Sequence, residues 1–196
     1  MKRILIDELK ISKINFKWIP YMLTQEIRVK MIEISKEWFE FLTNANIQKL
    51  HKVLTQNETC VYFINPRNSM WLEARQPIPE KPKRMIGSKK VMISVIWGIT
   101  GIKSITMLPI GEKFNKKFFA QRVLGDFAKN IATNGYFLHM DNSRPHLAFK
   151  ELTELGMKIL EHPPYSPDLA PSDFFLFGFL KKLLKGQEFE DENQLF

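Results

Sequence analysis

A single cysteine, Cys60, stands among the 196 residues, so no internal disulfide can close. Nothing near it supplies a Cys/His set for zinc, and the chain fits a reducing compartment. Long apolar runs are also missing. The stretch behind Met1-Lys2-Arg3 is interrupted by Asp7, Glu8 and Lys10, which argues against a signal peptide and a membrane span and predicts a soluble, intracellular chain without a membrane partner. Internal repeats and low-complexity tracts are absent, which excludes repeat architectures. Acid is in the minority: 21 Asp and Glu oppose 29 Lys and Arg, for a formal charge of +8. That excess favours an anionic partner such as nucleic acid; a basic surface that only aids solubility is the plainer alternative.

What is present suits one globular domain, since 196 residues at 44% hydrophobic allow one sizeable core but not two. Residues 1–23 mix charge with apolar residues around Pro20 and read as a linker or arm; residues 24–196 read as the core. Ile27, Met31, Ile34, Trp38 and Leu42 recur at the spacing of one helix face, with Thr24 as N-cap. Val53 to Ile64 reads as a strand interrupted at Asn57, followed by a turn at Asn65-Pro66-Arg67-Asn68. A short strand near Trp71 closes a side hairpin, and Pro77, Pro79 and Pro82 then make a loop. Val91 to Trp97, a turn at Gly98 to Gly101, and Ile102 to Leu108 form the clearest hairpin. Asn115 caps a helix carrying Phe118, Phe119, Val123, Phe127 and Ile131, ended by Asn134-Gly135. Tyr136 to Met140 is a short buried strand, Pro145 to Leu155 a helix, Met157 to Leu160 a fifth strand, and Ser172 caps a last helix reaching Leu184. Three antiparallel strands followed by βα alternation predict an α/β, ribonuclease-H-like fold with a mixed five-stranded sheet flanked by helices.

Two segments carry chemistry. In His139-Met140-Asp141-Asn142-Ser143-Arg144-Pro145-His146 a carboxylate leaves the end of a buried strand, where an α/β crevice can hold a metal ion; taken alone, Asp-Asn is also simply a good turn. In His162-Pro163-Pro164-Tyr165-Ser166-Pro167-Asp168-Leu169-Ala170-Pro171-Ser172-Asp173 the prolines stiffen a loop and Asp173 falls in the first turn of a helix. An acid serving the helix dipole is the commoner explanation of such a residue.

Together, "HMDNSRPH" and "HPPYSPDLAPSDFFLF" strongly resemble the mariner family of transposases, whose DDE/D catalytic core has a ribonuclease-H-like fold. "WIPYML" at 18–23 looks like that family's linker motif, and "KKVMISVIW" at 89–97 is similar to the second strand region of its core. The resemblance implies that Asp141 is the second catalytic, metal-binding aspartate and that Asp173, closing "APSD", is the third in preference to Asp168. Where the family has a segment resembling Thr-Gly-Asp-Glu with a Trp soon after, this chain has Thr55-Gln56-Asn57-Glu58-Thr59-Cys60, so Asn57 replaces the first catalytic aspartate.

In the family two Mg²⁺ or Mn²⁺ ions held by three carboxylates activate water, and then a DNA 3′-hydroxyl, for attack on a phosphodiester. An amide brings no charge and poor bridging geometry, so cofactor binding should be weakened and activity lost or weak. Glu58 cannot easily substitute, because neighbours on a strand point to opposite faces. DNA contact is expected from Lys81, Lys83, Arg84, Lys89, Lys90, Arg144, His146, Lys181 and Lys182, with a solvated face as the alternative for each. "KPKR" at 81–84 also suits nuclear localisation, although such runs are common by chance. The resemblance further implies a nuclear protein and a homodimer. The family's paired helix-turn-helix region finds no room before Trp18, and the chain reaches Phe196 sooner after Asp173 than its family does, which predicts a truncated core. Three functions follow: a degenerate core that keeps fold and DNA affinity, a domesticated non-catalytic DNA-binding or interaction module, and a residually active metal-dependent endonuclease.

Overall fold

The computed structural model describes residues 23–66, 87–143 and 149–195. Five strands form one sheet in the order β3-β2-β1-β4-β5. They are β1 Val53–Tyr62, β2 Lys90–Gly98, β3 Gly101–Leu108, β4 Phe137–His139 and β5 Lys158–Leu160. The first three run antiparallel to one another, and β4 and β5 continue parallel to β1. This is the mixed five-stranded sheet expected from the sequence, with the first and fourth strands side by side.

The strand period of two sorts side chains onto two faces. On one face Leu54, Ile96, Leu108, Leu138 and Met140 meet a composite helix and α5, in a core completed by Phe118, Phe119, Val123, Leu124, Phe127 and Leu152. That composite helix is α3 (Lys116–Phe118), a π-helical stretch Phe119–Leu124, and α4 (Gly125–Asn130); α5 is Phe149–Glu154. On the other face Val61, Val91, Ile93 and Val95 pack against Phe177 of α6 (Phe177–Leu183). The first helix, α1 (Gln25–Thr43), lies on this second side, where Phe41 packs edge-on against Phe137 of β4. The layers are therefore helix, sheet, helix, with the Asn57 side chain and the turn that carries Asp173 on the second side.

Several sequence expectations are corrected. β1 runs unbroken through Asn57, because pairing with Val95 of β2 and side-chain hydrogen bonds satisfy the polar residue in place; tertiary pairing overrides local strand propensity. A short helix, α2 (Ile47–His51), capped by the Asn46 side chain on Lys49 N–H at 2.8 Å, precedes β1 where no element was expected. The composite helix ends at Asn130, one turn before Asn134-Gly135, with Ile131 already extended. Ser172 does not cap the last helix: it lies inside a π-helical turn, Ser172–Leu176, and its hydroxyl accepts a hydrogen bond from Trp97 Nε1 at 3.0 Å. Thr24 does cap α1, accepting from Ile27 N–H, as its position suggested. The strand near Trp71, the proline loop at 77–82 and the start of the helix at Pro145 lie outside the described residues.

Candidate functional site

The site is assembled where β1, β4 and the π-helical turn before α6 converge. Asn57 sits midway along β1 with its side chain on the α6 face and is 9% exposed. Thr55, two residues earlier, pairs with His139 at the end of β4. The parallel register therefore delivers Asp141, two residues past His139, to the level of Asn57. Across the sheet, Trp97 holds Ser172 by the bond described above and stacks on Phe175, with ring centroids 5.9 Å apart. These contacts flank Asp173 on both sides. A π-helical turn is a common device at functional sites, since the extra residue re-aims a side chain.

The electrostatics tie the three residues together. The Asp173 carboxyl is raised above the usual carboxylate range, first by the protein packed around it and next by the negative charge of Asp141. Lys181, His162 and a hydrogen bond from the Asn57 side chain partly offset this. Asp173 as a residue is solvent-exposed. The Asn57 amide is used at both ends. Its Oδ1 accepts from the backbone N–H of Glu58 at 2.8 Å, which leaves the amide N–H₂ for Asp173. Asp141 takes part in the turn that its sequence suggested, its Oδ1 accepting from Ser143 N–H at 3.0 Å. Asn142 donates to the His162 carbonyl at 2.7 Å, joining the loops after β4 and β5.

The structure thus brings Asn57 and Asp141 within hydrogen-bonding and electrostatic reach of Asp173. Asp168 occupies a separate 3₁₀ turn, Pro167–Leu169, and its charge is felt by His162. Glu58 is on the far side of the sheet, where it accepts hydrogen bonds from Gln56 and Ser94. Lys181 and Lys182 lie exposed on α6, Lys181 within electrostatic reach of Asp173. Lys89 and Lys90 are exposed at the start of β2, Lys89 with its ammonium 4.1 Å from the Phe63 ring centre. Lys81, Lys83, Arg84, Arg144 and His146 lie outside the described residues.

Sequence reasoning assigned no role to His139, His162 or Trp97. The two histidines flank the candidate motifs, and that adjacency was the available signal; Trp97 carried none, because its partner is 75 residues away in sequence. His139 is 2% exposed, and burial, reinforced by His162, pushes its pKa down from 6.5 to about 3. A depressed histidine leaves stability intact above pH 6.5 and removes it as pH falls towards 3, because only the unfolded chain then takes up the proton. Chemical denaturation of the metal-free protein should therefore show a loss of about 2 kcal/mol from this group between pH 7 and 5. His139→Gln should flatten that slope, and an unchanged slope would show that the ring is not held neutral. The raised Asp173 acts in the opposite sense, its cost falling away on acidification.

Asp141 and Asp173 are two carboxylates whose charges oppose each other at a partly desolvated cleft, a deficit that one divalent cation relieves. The third position does not fit a second, bridging ion. The Asn57 oxygen is taken by backbone and its N–H₂ faces Asp173, so it presents a donor where a ligand oxygen is needed.

Comparisons with known proteins agree with this architecture. A family profile described as "Transposase (partial DDE domain)" matches residues 61–137, the stretch between Asn57 and Asp141. The chain is 31% identical to human histone-lysine N-methyltransferase SETMAR over 93% of its own length and 28% of that protein. It is 29% identical to the Mariner Mos1 transposase of Drosophila mauritiana over 92% of its length and 55% of that relative. In structure it superposes on the Mos1 transposase paired-end complex with left transposon end with a TM-score of 0.84 at 25% identity, covering 99% of this chain and 59% of that one. The Mos1 strand transfer complex gives 0.82 at 26% identity, over 99% and 58%. The chain thus spans 28% and 55% of the length of these two curated relatives.

Proposed function

Since this chain belongs to the mariner family of transposases and carries a core derived from their DDE catalytic domain, we propose that it is a nucleic-acid-binding core in which metal-dependent DNA strand cleavage is lost or weak. The observation that carries this reading is the Asn57 amide, which directs N–H₂ rather than a carboxylate oxygen at Asp173.

Asp141 and Asp173 would hold one Mg²⁺ or Mn²⁺. Such an ion polarises a phosphodiester and lowers the pKa of bound water. Each remaining part is played by the chain itself. Trp97 and Ser172 fix the turn that carries Asp173, Asn142 fixes the loop after Asp141, and Asn57 stabilises the Asp173 charge by hydrogen bonding. None of these groups supplies the negative charge a second ion requires. The carboxylate pair favours one further reading, slow single-metal nicking, which the nicking experiment separates.

DNA is the proposed partner. The net charge of +8 and the exposed Lys181 and Lys182 beside the cleft support it, and the Mos1 assemblies that this chain resembles hold transposon ends. A homodimer and a nuclear location are proposed on the same basis. Among the described residues no helix is long and apolar enough to cross a membrane.

Fluorescence anisotropy on duplex DNA should show affinity falling steeply with salt. Lys181→Ala with Lys182→Ala should reduce the log–log slope by about one to two, as expected for one or two lost phosphate contacts. Supercoiled DNA with Mn²⁺ should be nicked no faster by the wild type than by Asp141→Ala. Salt-independent binding, or clear Asp141-dependent nicking, would overturn the respective half of the proposal.

A further inference from the structure

Three phenylalanines stand in water directly after Asp173. Phe174 and Phe175 in the π-helical turn are 61% and 60% exposed, Phe179 of α6 is 57% exposed, and Leu183 at the end of that helix 59%. With about 200 Å² of apolar surface to a Phe side chain, the three leave roughly 350 Å² open, a patch size that on a monomer often marks a binding surface. These rings are not surplus core. The inward side of the same segment is filled by Phe177, with Leu176, Leu180 and Leu184 packed beside it on the sheet.

The patch is partly fixed before any partner arrives. Phe175 lies with one face on Trp97, ring centroids 5.9 Å apart and planes 24° from parallel, and Trp97 in turn donates its indole N–H to Ser172. A ring already held in one orientation loses less freedom when something stacks on it. The charge around the rings has one sign. From Phe174 to Gln187 the chain carries Lys181, Lys182 and Lys185 and no acid, and all three lysines are exposed. Lys182 follows Phe179 at the three-residue spacing that makes neighbours on a helix surface.

Flat apolar rings set among cations are complementary to a polymer that alternates flat apolar faces with anions, which is the constitution of a nucleic acid. In a duplex the base faces are covered by their stacked neighbours and only the phosphates are offered; an unpaired stretch offers both. A second copy of this chain fits less well, because a two-fold pairing of the patch would set the same three lysines against each other.

We propose that this face of the turn and α6 binds an unpaired stretch of DNA, with bases stacked on Phe174, Phe175 and Phe179 and phosphates held by Lys181, Lys182 and Lys185. The proposal rests on the reading of DNA as the partner and narrows it to the strandedness of the segment lying next to Asp173.

Fluorescence anisotropy of the full chain without divalent metal tests it on three labelled probes of equal length: oligothymidylate, the same strand with abasic sites in place of its bases, and a blunt duplex. Wild type should bind the abasic strand at least about tenfold more weakly than oligothymidylate, although the phosphates are the same. Phe174→Ala with Phe179→Ala, which leaves Phe175 on Trp97, should weaken oligothymidylate binding by about tenfold per ring and change duplex affinity by less than about twofold. Phe174→Trp with Phe179→Trp should keep the wild-type affinity, with circular dichroism checking the fold of both variants. Equal binding of oligothymidylate and the abasic strand by the wild type would overturn the proposal without recourse to a variant. Parallel loss of single-strand and duplex affinity in the alanine pair would also overturn it, as would self-association in sedimentation that the alanine pair abolishes while oligothymidylate binding stays unchanged. A wild type that binds none of the probes would overturn the DNA reading itself, whereas salt-dependent duplex binding with no response to the bases would leave that reading standing and remove this one.

Discussion

Asn57→Asp should raise the affinity of the chain for Mn²⁺ by on the order of ten- to a hundredfold, because it adds a third carboxylate at the β1 position whose side chain hydrogen-bonds Asp173. Asp and Asn are nearly the same shape, and Asn57 is paired on β1 to Val95 of β2, so the exchange costs little in packing. The cost is electrostatic. The amide donor to Asp173 is replaced by a third carboxylate beside a carboxyl whose pKa is already raised. The metal-free variant should therefore melt at a lower temperature than the wild type, and Mn²⁺ should reverse that order. Supercoiled DNA should be nicked by Asn57→Asp in Mn²⁺ and not by Asn57→Asp combined with Asp141→Ala. Calorimetry and thermal melts with and without Mn²⁺ measure both signs in one series. Equal Mn²⁺ affinity in the two proteins would show that Asn57 does not stand at a metal position.

The second large effect falls on the opposite face of the sheet. Phe127 in α4 is fully buried among Phe119, Leu124 and Leu138, so Phe127→Ala should cost about 3–5 kcal/mol in urea denaturation, through lost burial and the cavity left behind. Phe174, one residue beyond Asp173, is 61% exposed, and Phe174→Ala should change stability by less than about 0.5 kcal/mol. Neither variant should alter Mn²⁺ affinity in the protein that remains folded, since neither side chain touches the carboxylates. A Phe127→Ala protein as stable as wild type would mean that the composite helix is not docked on the sheet.

Local pattern carried the elements whose causes are local. The β2–β3 hairpin follows from an apolar run, a Gly-bounded turn and an alternating partner, and α1 from a single apolar face behind Thr24. The order of strands and helices was enough to expect the mixed sheet, and the two acidic motifs singled out Asp141 and Asp173. Ser172 shows where that ends. A serine before an apolar run signals an N-cap, yet its hydroxyl is taken by Trp97 from another strand, and no spacing along the chain reveals that competition. Asn57 read as a break in β1 because strand propensity counts a polar residue as a cost, whereas neighbouring strands and side chains satisfy it in place.

By itself, then, the sequence determined the strands and the helices other than α2, and which carboxylates stand at strand and helix ends, because period, capping and turn chemistry act over a few residues. Only the tertiary structure decided which way the Asn57 amide points and that Thr55, His139 and His162 join in one buried chain. Those outcomes depend on contacts between residues 23 to 116 positions apart (Asn57 to Asp173, 173 − 57 = 116), which exist only once the parallel pairing of β1 with β4 has set the register.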